Sequence, residues 1–152
     1  GCRSAILIWL AERHPQAGLA PAAGDPERGQ FLRWMTFIPA SIYSMYWVRD
    51  IPARLAGDDP DDQSRILERT ADRIAECWRT MEDQLSPGRF LLGERMTMLD
   101  LYVTVVSRWR PMRRRFYAEA PRMSEVVRRI DALPELADFW AARFPFEDGW
   151  EG

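Results

Sequence analysis

With 152 residues, 47% of them hydrophobic, the chain is long enough for one domain with a sizeable core and too short to expect two. Its formal net charge of -2 gives no electrostatic reason to expect a nucleic acid or a membrane as a partner. His14 is the sole histidine, and Cys2 and Cys77 are the two cysteines, so we expect no metal site, no disulfide framework and a cytoplasmic location.

The first predicted element is a helix from about Ser4 to Arg13. It stops at Pro15, because the residue before a proline resists the helical backbone region. A connector rich in proline, glycine and alanine covers residues 16–24. Cys2 would lie at the helix N-terminus, where a thiol pKa is lowered in principle. A frayed terminus is the interpretation that we prefer.

A second helix is predicted from Pro26 to about Val48. Asp25 is the expected N-cap and Pro26 occupies the first helical position, which together form a strong start signal. Pro39 lies inside this helix and should kink it near Ile38. Residues 50–60 contain two prolines, a glycine and three acids, which predicts an exposed loop.

A third helix, from about Pro60 to Leu85, has the clearest amphipathic period in the chain. Charged side chains of both signs alternate on its other face, which is typical of a solvated surface. Its apolar positions recur every three or four residues: Ile66, Thr70, Ile74, Cys77, Trp78, Met81 and Leu85.

Residues 90–100 predict a loop followed by a capped helix start. Thr97 at the N-cap and Asp100 can form a capping box, while Met96 and Leu101 can clamp as a hydrophobic staple. The helix that follows, from Met98 to about Arg110, is apolar nearly all round, so we expect it in the middle of a core. We therefore assign Thr97 and Asp100 to structure.

Two further helices are predicted near the end, at about Ser124–Ala132 and Pro134–Arg143, and no segment shows the alternation of a strand. The expected architecture is an all-α helical bundle. A basic run lies between these helices and the capped one. A solvated cluster balanced by nearby acids is the favoured interpretation of that run, with an anion-facing rim or a subunit contact as the alternative. Its members are Arg108, Arg110, Arg113, Arg114 and Arg115.

The segment Phe-Leu-x-Gly, a polar turn and then Thr-x-x-Asp at residues 90–100 resembles the C-terminal helical domain of cytosolic glutathione transferases of bacterial type. Residues 4–15 resemble the last helix of that family's thioredoxin-like domain, and residues 134–140 its terminal helix. The resemblance implies that residues 1–15 end a thioredoxin-like domain, residues 16–24 form a linker and residues 25–152 form the helical domain. We expect the rest of the thioredoxin-like half to precede Gly1.

For function, the resemblance implies an enzyme that conjugates glutathione, as co-substrate, to small hydrophobic electrophiles in detoxification, most simply as a homodimer. No catalytic residue can be named in this chain, and the family's glutathione-binding pair falls on Cys2 and Arg3, neither of which matches. Arg3 is a weak candidate for an anion contact. The aromatic cluster Tyr43, Tyr46 and Trp47, with Met45, lies where family members line the electrophile pocket.

Two alternatives remain open for the aromatic cluster and for the protein. The cluster either lines a pocket or simply closes the bundle core. The protein is either a transferase, of which this chain supplies the acceptor-binding half without being catalytically complete, or a non-catalytic module for protein binding or assembly. The first helix carries a nearly continuous apolar surface from Ile6 to Leu10, so we expect this chain alone to self-associate.

Overall fold

A computed structural model describes residues 3–152 and contains no β-strand within that range. The all-α prediction is thereby confirmed. No helix in the described part combines the length and the apolar character that a bilayer span requires. The described helices are α1 (Arg3–Arg13), α2 (Arg28–Phe37), α3 (Ser44–Arg49), α4 (Ala53–Ala56), α5 (Pro60–Gln84), α6 (Met98–Val106), α7 (Met112–Glu119), α8 (Pro121–Asp131) and α9 (Ala137–Arg143), with a π-helical segment at Ile38–Tyr43.

The long helix α5 forms one wall of the core, as its sequence period predicts. Asp59 caps it by accepting from the N–H groups of Asp61 at 2.9 Å and Asp62 at 3.1 Å, and Pro60 occupies the first position, where its missing N–H costs nothing. The helix packs against the π segment, α3, α7 and α8. Its buried residues are Ile74, Ala75, Cys77, Trp78, Met81 and Glu82.

The second predicted helix is divided into three parts. Pro39 lies in the π segment, whose wider turn accommodates a residue that has no N–H, so the kink expected near Ile38 is a change of helix type that begins there. The predicted start at Asp25 is wrong, because α2 begins at Arg28. The Asp25 carboxylate instead accepts from the N–H of Ala22 at 2.9 Å and from Arg95 at 3.0 Å, which closes a turn.

Other boundaries also differ from the prediction. The expected loop at residues 50–60 contains the one-turn helix α4, and α7, which periodicity did not reveal, begins within the basic run. Helix α8 begins at Pro121 and not at Ser124, because Glu82 of α5 accepts from the N–H groups of Arg122 and Met123, both at 3.0 Å. A carboxylate from another helix thus supplies a cap that local sequence does not contain.

Helix α6 packs against α8, α1 and α2, and its start is fixed by a buried carboxylate. Asp100 is fully buried and forms a capping box with Thr97. Its Oδ2 accepts from the Thr97 N–H at 2.7 Å and its Oδ1 from the Leu91 N–H at 2.8 Å. Burial raises the pKa of Asp100, and these hydrogen bonds oppose that rise. The side chain therefore joins the loop before α6 to the helix itself.

The solvated-cluster interpretation of the basic run is wrong for Arg113, which is fully buried. Its guanidinium binds Asp131 of α8 and donates to the Thr104 carbonyl at 2.9 Å. Arg115 instead follows the expectation, since it lies on the surface and pairs with Glu119 at 3.0 Å. Spacing along the sequence did not distinguish these two arginines, because the difference arises from the packing of α7 on α8.

Candidate functional site

An apolar cleft of about 410 Å³ opens where α1 and α6 meet the end of the π segment. The lining is aliphatic and aromatic apart from one guanidinium and two phenol groups. This composition suits a small ligand with a large apolar surface. The lining residues are Arg3, Ile6, Leu7, Tyr43, Met98, Leu101, Tyr102, Val105, Trp109 and Phe144.

One stripe of α6 forms the floor of this apolar cleft. Met98, Leu101 and Val105 follow one another at helical spacing and are only half-buried, whereas Leu99 and Val103 on the opposite side are fully buried. The expectation that α6 is surrounded by core on all sides is therefore wrong in this chain. The apolar residues on the less buried side of α6 line the apolar cleft.

Aromatic rings form the wall between the apolar cleft and its surroundings. The Tyr43 ring packs edge-on against Trp109 with centroids 4.9 Å apart, and it lies 6.0 Å from the Tyr102 ring. Tyr46 packs edge-on against the same Trp109 at 5.4 Å. Contacts of this kind hold rings in fixed orientations. The cluster thus presents a rigid aromatic surface in place of mobile side chains.

The three phenol hydroxyls of this wall have different surroundings. The Tyr46 hydroxyl donates to the Arg110 carbonyl at 2.7 Å, so it anchors the segment after α6. The Tyr102 hydroxyl is buried with no hydrogen-bond partner. Burial raises the pKa of both Tyr43 and Tyr102, and the nearby Arg3 charge opposes this rise in each. Tyr43, Tyr102 and Arg3 therefore form the polar corner of the apolar cleft.

A wider cleft of about 960 Å³ adjoins the apolar one and shares Arg3, Tyr43 and Trp109 with it. Its lining is more polar and contains several guanidinium groups. The remaining lining residues are Tyr46, Trp47, Arg49, Asp50, Leu67, Arg108, Arg110 and Met112. The two clefts are therefore neighbouring compartments with an apolar and a cationic character.

The structure brings together most of the side chains singled out from the sequence. Tyr43 lines both clefts, and Tyr46 and Trp47 line the wider one. Arg3 lies where the clefts meet, with its guanidinium carbon 5.8 Å from the centre of the Tyr43 ring. Cys2 lies outside the described residues. Within the described range no group of three or more potential ligand side chains forms a metal site.

Sequence reasoning missed Tyr102 and Trp109 as members of the site. The available signal was a phenol and an indole seven residues apart, on one face of the helix predicted from Met98 to about Arg110. In the structure α6 ends at Val106, so Trp109 lies just after it. Thr97 is the N-cap of α6 and Asp100 lies in its first turn. Their contacts are consistent with the structural role assigned to them.

A family model described as the glutathione S-transferase C-terminal domain matches residues 51–143, more than half of the chain. The chain belongs to this family. The glutathione S-transferase domain is also 26% identical over 135 residues to an uncharacterised glutathione S-transferase-like protein, YncG, of Escherichia coli strain K12. That match covers 89% of this chain and 63% of the relative, so the chain spans less than two thirds of that relative's length.

Solved structures share the fold of this transferase-family domain. A glutathione transferase homologue from Sulfitobacter with bound glutathione superimposes with a TM-score of 0.75 at 21% identity. A sphingomonad glutathione S-transferase complexed with glutathione gives 0.66 at 20%, and a glutathione transferase from Methylococcus capsulatus gives 0.58 at 23%. Each match covers 91% of this chain and 65% of the other. At these identities the likeness establishes the fold alone.

Proposed function

We propose that this chain is the acceptor-binding helical part of a glutathione transferase that conjugates glutathione to small hydrophobic electrophiles. The observation that carries the proposal is the apolar cleft, whose floor is the half-buried stripe of α6 and whose wall is the Tyr43–Trp109 pair. An apolar cavity with a few polar groups at one corner is what a small aromatic or aliphatic acceptor requires.

The domain organisation belongs to the same proposal. We assign residues 1–15 to the end of a thioredoxin-like unit, residues 16–24 to a linker and residues 25–152 to the helical domain. Glutathione would bind mainly to the thioredoxin-like unit, with its thiol directed toward the apolar cleft. The thiolate sulfur would form a bond to the electrophilic carbon while the leaving group departs with its electron pair, and the thiol proton would pass to solvent.

Within this chain, the contribution to the reaction is positioning. The apolar floor and aromatic wall would hold the acceptor and exclude water, which raises the effective concentration of the electrophile at the sulfur. Tyr43, Tyr102 and Arg3 would donate hydrogen bonds at the polar corner, where charge accumulates as the bond forms. A cytoplasmic homodimer with a role in detoxification would fit this activity.

The test measures conjugation of chlorodinitrobenzene by the full-length protein that contains this chain. We expect Leu101→Ala to raise KM for the electrophile about threefold or more while the KM for glutathione stays unchanged, because burial of a ligand against a leucine contributes about 1–2 kcal/mol. Leu55→Ala on α4 is the matched control, since Leu55 is exposed and outside both clefts. An absence of any conjugation by the full-length protein would remove the enzymatic proposal.

A second candidate is a non-catalytic module for protein binding or assembly. It is favoured by α1, whose Ile6 and Trp9 are 58% and 55% exposed in this chain. Apolar side chains at that level of exposure, next to one another on a helix, indicate a surface that a partner covers. Measurable conjugation by the full-length protein would decide for the enzyme.

A further inference from the structure

The wider cleft is lined by more positive than negative side chains. Four arginines line it, Arg3, Arg49, Arg108 and Arg110, against the single carboxylate of Asp50. Guanidinium groups are suited to two-pronged binding of a carboxylate. We call these four arginines the cationic rim.

The arginines of the cationic rim have no carboxylate partners of their own within residues 3–152. Arg49 donates to the Leu67 carbonyl and to the Thr70 hydroxyl, and Arg108 donates to the Pro145 carbonyl at 3.0 Å, all of which are neutral acceptors. One nitrogen of Arg108, Nη1, is buried with no hydrogen-bond partner. Arginines elsewhere in this part of the chain form ten ion pairs with Asp or Glu, none of which includes a rim residue.

Nearby positive charges oppose one another at this rim. Burial lowers the pKa of Arg49, and the neighbouring charge of Arg110 lowers it further. Burial also lowers the pKa of Arg108, and the charges of Arg113 and Asp131 act on it in opposite directions. An anion bound at the rim would relieve the repulsion between Arg49 and Arg110 and would give the buried Nη1 group of Arg108 an acceptor.

The apolar and wider clefts share the aromatic wall, so one ligand can occupy both. Its apolar body would pack on Leu101, Val105 and the Trp109 ring, within the volume of about 410 Å³. Its other end would pass Tyr43, which lines both clefts, and reach the cationic rim. The ligand that fits this arrangement has an aromatic or aliphatic body and a negatively charged group at one end.

We propose that the electrophile of this protein is an amphipathic acid, whose carboxylate binds the cationic rim while its reactive apolar part lies in the apolar cleft. This inference rests on the proposed transferase function and narrows its substrate class. Glutathione also carries carboxylates, so either glutathione or an acidic electrophile could supply the carboxylate that binds the cationic rim. The experiment has to distinguish these two ligands.

The binding arm compares a naphthoate with the matching naphthamide, which have almost the same size but differ in charge. Quenching of tryptophan fluorescence reports binding, because Trp47 and Trp109 line the wider cleft. We expect the acid to bind about tenfold more tightly at low salt, with the preference shrinking as ionic strength rises. Equal affinity for the acid and the amide would overturn the inference.

The variant for this arm is Arg110→Gln, because Arg110 is exposed and makes no side-chain hydrogen bond in the described residues. We expect it to reduce the preference for the acid about threefold or more and to leave amide binding unchanged. Arg114→Gln is the matched control, since it removes the same charge from an exposed position outside both clefts. An equal loss of acid preference in both variants would show that the preference depends only on the net charge of the protein, and this would overturn the proposal.

Competition by glutathione distinguishes the two carboxylate sources. We expect glutathione to leave naphthoate binding unchanged. Displacement of naphthoate by glutathione that disappears in Arg110→Gln would assign the rim to glutathione and overturn the inference.

The conjugation arm uses the full-length protein with chlorodinitrobenzoate and its amide. A higher kcat/KM for the acid that depends on Arg110 supports the inference. Conjugation without a preference for the acid overturns the inference alone and leaves the transferase proposal intact. If the protein prefers naphthoate to naphthamide but conjugates neither chlorodinitrobenzoate nor its amide, the transferase proposal is wrong. The assignment of the bound acid as an electrophile is then wrong as well.

Discussion

Arg113 and Asp131 form a two-pronged ion pair in the interior, with Nη1–Oδ2 at 2.7 Å and Nη2–Oδ1 at 3.1 Å. The pair ties α7 to the end of α8. Its guanidinium also donates to the Thr104 carbonyl of α6, so one side chain joins three helices. Arg113 is completely buried, and the Asp131 side chain is 12% exposed.

Replacing Arg113 with Met should lower the free energy of unfolding by about 3 kcal/mol, because the largely buried Asp131 carboxylate loses its partner. Urea unfolding followed by tryptophan fluorescence measures the change. Arg65→Met is the control, since Arg65 and Asp62 form an exposed pair at 2.7 Å for which we expect a loss below about 1 kcal/mol. Similar losses in the two variants would contradict the structural role of Arg113.

Replacing Asp100 with Ala should cost about 2 kcal/mol or more, because the N–H groups of Leu91 and Thr97 would be left buried without acceptors. Thermal and urea unfolding provide the measurement. Asp138→Ala is the comparison, since Asp138 lies in the first turn of α9 but is exposed, and its loss should change stability by less than about 0.5 kcal/mol. A midpoint for Asp100→Ala within a degree of the parent would show that the cap contributes little.

Replacing Glu82 with Ala should destabilise the start of α8 selectively. The N–H groups of Arg122 and Met123 would lose their acceptors, and we expect a loss of about 2 kcal/mol in global stability. The rate of amide hydrogen exchange should increase most at these two positions. Glu68→Ala on the exposed face of the same α5 serves as the control, and equal exchange in both variants would contradict the capping role of Glu82.

Asp25 should make the stability of the fold depend on pH. The Ala22 N–H and Arg95 hold the pKa of Asp25 below its ordinary value of 3.8, so the carboxylate stabilises the fold above about pH 4. This contribution is lost as pH falls through the lower folded-state pKa. Asp25→Asn should therefore be less stable than the parent at neutral pH, and the difference should close in acid. Asp58→Asn, at an exposed site, is the control for the loss of one surface carboxylate.

The chain alone should self-associate through α1, because Ile6, Trp9 and Leu10 are 58%, 55% and 39% exposed. Light scattering at increasing concentration measures this. Trp9→Arg should reduce the average mass, whereas Leu55→Arg, at an exposed leucine of α4, should not. A monomeric mass for the parent chain at all concentrations would contradict the prediction.

The sequence predicted the parts of the fold whose causes are local. Asp59 and Pro60 determine the start of α5, and the spacing from Ile74 to Met81 determines its buried face. Distant partners determine the rest. Local sequence predicts Asp25 as a helix cap, but its carboxylate accepts from Ala22 and Arg95 instead. Local sequence also does not distinguish Arg113 from Arg115, because the packing of α7 on α8 buries the first and leaves the second exposed.

The candidate site shows the same division. Tyr43, Tyr46 and Trp47 could be selected because they are close in sequence and aromatic. The seven-residue spacing of Tyr102 and Trp109 was too weak a signal to select them, since their role depends on where α6 lies against the π segment. The cationic rim gathers Arg3, Arg49 and two members of the basic run from three separate stretches, a grouping that only the folded chain displays.

The π segment at Ile38–Tyr43 has a consequence for how this site could change. A wide turn contains one residue more than the α-helix it interrupts. Deleting a single residue there would therefore restore regular winding and leave Tyr46 and Trp47 on nearly the same face of the helix. The same deletion in the regular winding of α2 would rotate everything after it by about 100° around the helix axis and turn both side chains away from the cleft. The π segment is thus the place in this helix where the chain can lose a residue without moving the aromatic wall.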